Sequence, residues 1–154
     1  MGRLATRLSL DSWAAHSAGL FEECGKAVLF RHAKDHYRSM LRAAPDDATL
    51  AELERAGFGV SHDALGAALC ESWGLAASAV ASVRLHVTIQ AGGALPEATD
   101  KRAICALSAM AHALLQNPDQ LEPVIERVAA PAGFDAQRAR RGVQRLQDHL
   151  EAAA

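Results

Sequence analysis

The sequence predicts an all-α protein that folds as one compact helical bundle. Alanine and leucine dominate, β-branched residues are sparse, and turn-forming glycines and prolines recur every few helical turns. No stretch has the pattern of a strand. With 154 residues, of which 50% are hydrophobic and 22% charged, the chain can bury a sizeable core in one domain. It shows no repeat of fixed period, so a solenoid is not expected.

Capping residues and helix breakers predict the first helices. A short helix over 3–8 precedes a second helix, which Asp11 caps and Gly25 ends. Asp35 caps the next helix. Pro45 stops it, because a proline ring cannot continue a helix.

Apolar stripes of helical period predict the remaining elements. Ser61 caps the clearest of these helices, and Gly74 ends it in a left-handed conformation. We expect Trp13 and Trp73 to be core anchors, because tryptophan side chains are highly buried on average. The other helices are predicted over 49–56, 77–89, 100–115, 119–128 and 134–150.

Charge and cysteine usage narrow the possible partners and location. A net charge of -2 and a pI near 6.4 give no electrostatic reason to expect nucleic acid or a membrane as partner. Cys24, Cys70 and Cys105 lie far apart without a disulfide or metal-finger spacing, which is typical of buried thiols in a cytosolic protein. No apolar run is long enough to cross a membrane. We therefore predict a cytoplasmic protein without a cofactor.

Residues 18–26 carry the most informative motif, A-G-L-F-E-E-C-G-K. The segment resembles A-G-L-L-H-D-I-G-K of the HD phosphohydrolase superfamily, in which the adjacent His-Asp pair binds the catalytic metal. Here Glu22 and Glu23 occupy those two positions. The motif is thus similar to a hydrolase motif whose metal-binding residues have been replaced.

A second motif extends over 54–75, where E-R-A-G-F-G-V-S-H-D-A-L-G runs on to W-G-L. Together with 4–10, 18–21, 28–41 and 80–86, it resembles the HDOD domain, a signalling output module related to HD phosphohydrolases. The residues that carry the resemblance are Gly19, Glu54, Gly59, His62, Gly66, Trp73 and His86.

The resemblance also predicts the domain organisation. Residues 1–116 form a partial HDOD-like domain, and 117–154 form a C-terminal helical extension packed on the same domain. HDOD domains usually have several helices before the A-G-L segment, and this chain has almost none. The resemblance therefore implies an N-terminally truncated domain, or a fragment of a longer protein.

The resemblance implies a degenerate metal site with no catalytic residue. Besides the Glu22-Glu23 replacement, the late aspartate of the superfamily has become His112. His62 and His86 match positions that can be ligands in two-metal relatives, so they are the remaining candidates for metal binding. We favour the interpretation that both are buried polar residues satisfied by neighbouring helices.

A replacement metal site built from acidic and imidazole side chains is the alternative to that interpretation. Adjacent glutamates on a helix project about 100° apart, so Glu22 and Glu23 would rarely face one metal. The residues of such a site would be Glu22, Glu23, His62, His86 and His112.

The expected function is signal transduction by a non-catalytic, bacterial-type regulatory module that contacts other proteins. The resemblance implies signalling proteins as partners, and a homodimer stays open. Two alternatives remain. The protein is a divergent metal-dependent phosphohydrolase acting on a nucleotide or cyclic dinucleotide, or it is a nucleotide sensor without turnover.

Overall fold

The structure is a computed structural model that describes residues 1–152, without the side chains of Leu150 and Glu151. Ala153 and Ala154, the end of the predicted extension, lie outside this range. Within it the chain forms ten α-helices, one 3₁₀ turn at Pro118–Gln120 and no strand, which confirms the all-α prediction.

The helices follow one another with short connections. Their bounds are α1 Gly2–Leu8, α2 Ser12–Phe21, α3 Cys24–His32, α4 Lys34–Ala43, α5 Asp47–Phe58, α6 His62–Ser72, α7 Ala77–Gln90, α8 Thr99–Gln116, α9 Leu121–Val128 and α10 Ala136–Glu151.

The main core surrounds α8, which is buried on most sides. This helix packs along α7 and also contacts α2 and α9. Leu4 of α1, Ile125 of α9 and Val143 of α10 belong to the same buried cluster. Both ends of the described chain therefore contribute to one core.

A smaller group of helices, α3 to α6, lies beside α7. Its own buried cluster contains Leu29, Tyr37, Met40 and Leu50. The third buried cluster, around Val83, joins α6 to α7. Since α6 contacts α3 as well as α7, it connects α3 to the rest of the bundle.

Gly25 does not end a helix as predicted; it lies in the first turn of α3. Its role is a close approach between two helices, because a Cβ at this position would overlap the backbone carbonyl of His62. The chain instead turns at Glu22 and Glu23, between α2 and α3. The prediction was wrong because the sequence alone does not distinguish a glycine needed for close packing from one needed for a turn.

The two tryptophans are not core anchors. Trp13 keeps 74% of its surface exposed and Trp73 keeps 54%. The interior is lined by alanines instead, with Ala14, Ala15 and Ala18 of α2 fully buried. Because alanine lets helices approach closely, little room is left between them for an indole ring.

Two predicted caps also differ from the structure. Ala33 precedes α4, and Asp35 lies inside the first turn, where it pairs with Arg38. Ser61 is the N-cap of α6, as predicted, but its side chain makes no capping bond. The carboxylate of Glu54 accepts the backbone N–H of His62 there instead.

In the described part of the chain, no helix combines the length and the apolar character needed to cross a membrane.

Candidate functional site

Four side chains that can bind a cation converge where α3, α5, α6 and α7 meet. Glu23 precedes α3, Asp47 begins α5, His62 begins α6 and His86 lies in α7. One oxygen or nitrogen from each lies within 4.8 Å of the others. Both histidines are buried, at 0% and 2% exposure, whereas Glu23 is open to solvent. We call these four residues the acceptor cluster.

His62 is fixed by a buried carboxylate. Glu54 Oε2 lies 2.7 Å from both the backbone nitrogen and the Nδ1 of His62, and Tyr37 donates its hydroxyl to Glu54 Oε1 at 2.5 Å. Burial raises the pKa of Glu54, but the bonds from His62 and Tyr37 outweigh it and hold the pKa below its usual range. An ionised carboxylate only accepts, so Nδ1 carries a proton, and in the neutral imidazole Nε2 presents a lone pair.

His86 has the same tautomer for a similar reason. Its Nδ1 lies 2.7 Å from the backbone carbonyl oxygen of Val83, which can only accept a hydrogen bond. The Nε2 atoms of His62 and His86 are buried and have no hydrogen-bond partner among the described residues. The two rings are tilted by 57° to each other, with centroids 5.4 Å apart. Two imidazole lone pairs thus point into one place without a donor.

Lys26 provides the positive charge nearest to the two acidic members of the cluster. Its Nζ lies 2.8 Å from Glu23 Oε2 and 2.7 Å from Asp47 Oδ1. Burial raises the pKa of Asp47, yet the hydrogen bond and charge of Lys26 hold that pKa below its usual range. The ammonium therefore bridges the two carboxylates of the acceptor cluster.

Glycines bring the helices close enough to form the cluster. Gly25 lies against the backbone of His62. At Gly66, an added Cβ would lie only 3.2 Å from Cys24 Sγ and from Val83 Cγ1. Gly59 acts differently: it ends α5 with a φ of 76°, in the left-handed region, and nothing would lie within 4 Å of its Cβ. This sharp end lets the chain return with Glu54 and His62 in contact.

The replaced HD positions do not stay together. Glu23 belongs to the acceptor cluster, whereas Glu22 Oε2 accepts a hydrogen bond from Ser108 Oγ at 2.7 Å and its Oε1 accepts one from Gln90 at 3.1 Å. Burial raises the pKa of Glu22, and the hydrogen bond from Ser108 offsets that only in part. His112 lies half-buried on α8, outside the cluster.

The structure therefore brings together three residues of the predicted replacement set, Glu23, His62 and His86. Two other motif residues lie elsewhere. Gly19 is exposed on α2 beside Met1, and Trp73 packs on Phe21 with ring centroids 5.4 Å apart.

Two members of the site were missed by the sequence interpretation, Asp47 and Lys26. Lys26 closes the A-G-L-F-E-E-C-G-K motif, and Asp47 follows Asp46 at a helix start, so each had a signal in the sequence. Asp46 is the residue that caps α5, through the backbone N–H of Thr49. The sequence cannot show that its neighbour Asp47 faces a lysine 21 residues away.

An open cleft of about 780 Å³ adjoins the cluster. Its lining carries three carboxylates, those of Glu23, Asp46 and Asp47, against the ammonium of Lys26 and the imidazole of His112. A cleft of this size accommodates a small molecule, but its fixed charge favours a cation over an anion.

The acceptor cluster has the donor chemistry of a divalent metal site. Two neutral imidazoles and two carboxylates suit borderline metals such as Zn²⁺, Mn²⁺ or Fe²⁺. The Glu54 carboxylate on the far nitrogen of His62 is the outer partner that orients a metal-binding histidine. His62, His86, Glu23 and Asp47 are therefore the residues that would hold such an ion.

Comparison with known proteins supports the resemblance of the motifs. Residues 1–89 match the family model described as the HDOD domain, and the match stops before His112. No curated protein and no solved structure gave a significant match. The matched range contains the whole acceptor cluster, Lys26 and the glycines that shape the site, and it covers more than half of the 154 residues. The chain belongs to the HDOD family, whose output domain is related to the HD superfamily.

Proposed function

We propose that this protein is a non-catalytic regulatory module that acts in signal transduction through contacts with other proteins. The observation that carries the proposal is the position of Glu22. In an HD hydrolase both members of the pair would contribute to the metal site, whereas here the carboxylate of Glu22 is bonded to Ser108 and Gln90. With Lys26 bridging Glu23 and Asp47, little of a hydrolytic metal site is left free.

An exposed apolar face supports the proposed protein contacts. Trp13, His16 and Leu20 recur at the spacing of one face of α2, and Leu20 keeps 65% of its surface exposed. His16 and Leu20 line a hollow between α2 and α8 together with Leu115, which is 67% exposed. Large exposed apolar side chains that lie close together, here beside polar residues such as Glu22 and Ser108, are more typical of an interaction surface than single scattered ones are.

The catalytic part of the proposal is tested by phosphatase and phosphodiesterase assays. The purified protein is supplied with Mn²⁺, Fe²⁺ or Zn²⁺ and given nucleotide and cyclic dinucleotide substrates, beside the His86→Ala variant. We expect no turnover above that of the variant. Metal-dependent turnover that disappears in His86→Ala would contradict the proposal.

The contact part is tested by cross-linking and sedimentation. We compare Leu20→Ser with Val28→Ser, a control on α3 whose side chain is 42% exposed. We expect cross-links to partner proteins, or self-association with rising concentration, to weaken only in Leu20→Ser. Equal behaviour of the two variants would remove α2 as the contact surface.

The second candidate function is a divergent metal-dependent phosphohydrolase. One observation favours it: the two buried Nε2 atoms without a hydrogen-bond partner among the described residues. A divalent metal held there would acidify a bound water so that it attacks a phosphate at neutral pH. The assay with His86→Ala separates this candidate from the proposed function.

The nucleotide-sensor alternative is less well supported by the charges of the cleft. Glu23, Asp46 and Asp47 face it with only Lys26 as a permanent positive charge. An anionic phosphate would be repelled there unless a metal ion bound with it.

A further inference from the structure

We propose that Lys26 is an internal cation that competes with a divalent metal ion for the acceptor cluster, so that removing its ammonium converts the cluster into a metal site. The inference concerns this chain's own lysine and does not depend on whether the module is catalytic. It rests on the geometry of five side chains, namely Glu23, Lys26, Asp47, His62 and His86.

The first step is that the cluster contains acceptors only. The Nδ1 protons of His62 and His86 are directed to Glu54 and Val83, so in the neutral imidazoles each Nε2 presents its lone pair inward. Both Nε2 atoms are fully buried and have no hydrogen-bond partner in the described part of the chain. Buried acceptors that face carboxylates repel them unless a positive charge or a donor lies between.

The second step is that Lys26 already occupies one oxygen of each carboxylate in the cluster. Its Nζ takes Glu23 Oε2 and Asp47 Oδ1, while Glu23 Oε1 faces His86 Nε2 at 3.9 Å. Glu23 thus stands between the lysine and the imidazole pair. A metal that bound both imidazoles and both carboxylates would have to displace the ammonium or lie beside it.

The third step is that this ammonium is held at the carboxylates by two ion pairs. The side chain of Lys26 is only 22% exposed and is anchored at both carboxylates. A divalent ion next to a held ammonium is repelled, and the repulsion is stronger at a partly buried site than in bulk water. The lysine therefore lowers metal affinity although the ligand set is suitable.

The test measures metal binding rather than activity. Co²⁺ is titrated into the wild-type chain and into Lys26→Met, which removes the charge and keeps most of the side-chain volume. Isothermal titration gives the affinity and stoichiometry, and the visible absorption of Co²⁺ reports nitrogen ligation. We expect one ion per chain and an affinity at least about tenfold higher in Lys26→Met, the size of effect that groups around a metal site usually have.

Two further variants make the result specific. Lys34→Met, at an exposed position on α4, removes the same charge away from the cluster and is expected to leave the affinity unchanged. His86→Gln added to Lys26→Met is expected to cancel the gain, because it removes one ligand. Equal affinity of wild type and Lys26→Met would overturn the proposal, as would a gain that survives His86→Gln.

Folding is checked in the same samples by thermal unfolding. If Lys26→Met is destabilised by its unbalanced carboxylates, added Co²⁺ should raise its melting temperature more than that of the wild type, because a ligand that binds only the folded state stabilises it. Lys26→Gln serves as a second neutral variant. An equal rise in all variants, Lys34→Met included, would contradict competition at this site.

Discussion

Gly25 is the residue at which the site depends most directly on the absence of a side chain. It lies inside α3, where replacement of glycine by alanine would ordinarily stabilise the helix by up to about 1 kcal/mol. A Cβ there, however, would overlap the backbone carbonyl of His62, which belongs to α6 and cannot rotate away. Packing and helix propensity therefore act in opposite directions at this position.

We expect Gly25→Ala to destabilise the fold by about 1–3 kcal/mol, the usual size of an overpacking penalty. Gly57→Ala is the matched control, because its Cβ would meet no backbone atom but only the ends of the Met40 and His36 side chains. That variant should change stability by less than about 1 kcal/mol. Urea unfolding followed by circular dichroism gives both values. Equal losses in the two variants would mean that α3 and α6 do not touch at Gly25.

At this scale the sequence predicts part of the site. The motif identifies Glu23, His62 and His86, because their spacing is similar to that of a known family. Their relation to Asp47 and Lys26 depends on the angles at which α3 and α5 meet, and a linear pattern does not contain those angles. A linear pattern also does not show that Glu22 and Glu23 bind different partners, although helix geometry already indicates that their side chains point in different directions.

Among the helices, α2 shows how local sequence signals are realised. Asp11 accepts hydrogen bonds from the backbone N–H groups of Trp13 and Ala14, both at 3.0 Å, as its predicted role as N-cap requires. The inner face of the helix is alanine and the outer face carries Trp13 and Leu20. The helix thus needs its cap, because small buried side chains contribute little hydrophobic stabilisation each.

We expect Asp11→Ala to lower the free energy of unfolding by about 1 kcal/mol, because two backbone donors lose their acceptor. Asp35→Ala is the control. This aspartate also lies near a helix start but pairs only with the side chain of Arg38 at 3.2 Å, and such exposed pairs are worth a few tenths of a kcal/mol, about 0.3–0.5 within a helix. Thermal or urea unfolding compares the two. A loss in Asp35→Ala as large as that in Asp11→Ala would refute the capping role.

The helix boundaries follow from sequence better than the buried faces do. The helix predicted over 100–115 is observed at Thr99–Gln116, because Asn117 and Pro118 give a local stop signal. Burial of Trp13 was predicted from residue type alone and is wrong. Whether a large side chain fits depends on the distance to the next helix, which the alanines on both sides set only after packing.

For the whole molecule, the decisive feature is that the beginning and the end of the described chain meet. Arg138 of α10 donates to the carbonyl oxygen of Arg7 at 3.2 Å and to the hydroxyl of Ser9 at 2.7 Å. Leu4 and Ile125 lie in the same buried cluster, although the family match ends at residue 89. The segment after the matched range is therefore packed on it, and the two should unfold as one cooperative unit.

Ile125→Ala tests this cooperativity, because Ile125 is 1% exposed in α9, far along the chain from both tryptophans. Removing its side chain should destabilise the fold by about 2–5 kcal/mol. Tryptophan fluorescence reports only on Trp13 and Trp73, whereas circular dichroism reports on every helix. If the chain is one unit, both signals shift to the same lower urea midpoint. Leu115→Ala, at an exposed position, is the control and should change the free energy of unfolding by no more than about 0.5 kcal/mol with either signal.

A fluorescence midpoint that stays at the wild-type value in Ile125→Ala, while the dichroism midpoint falls, would mean that α9 and α10 unfold separately from the HDOD part.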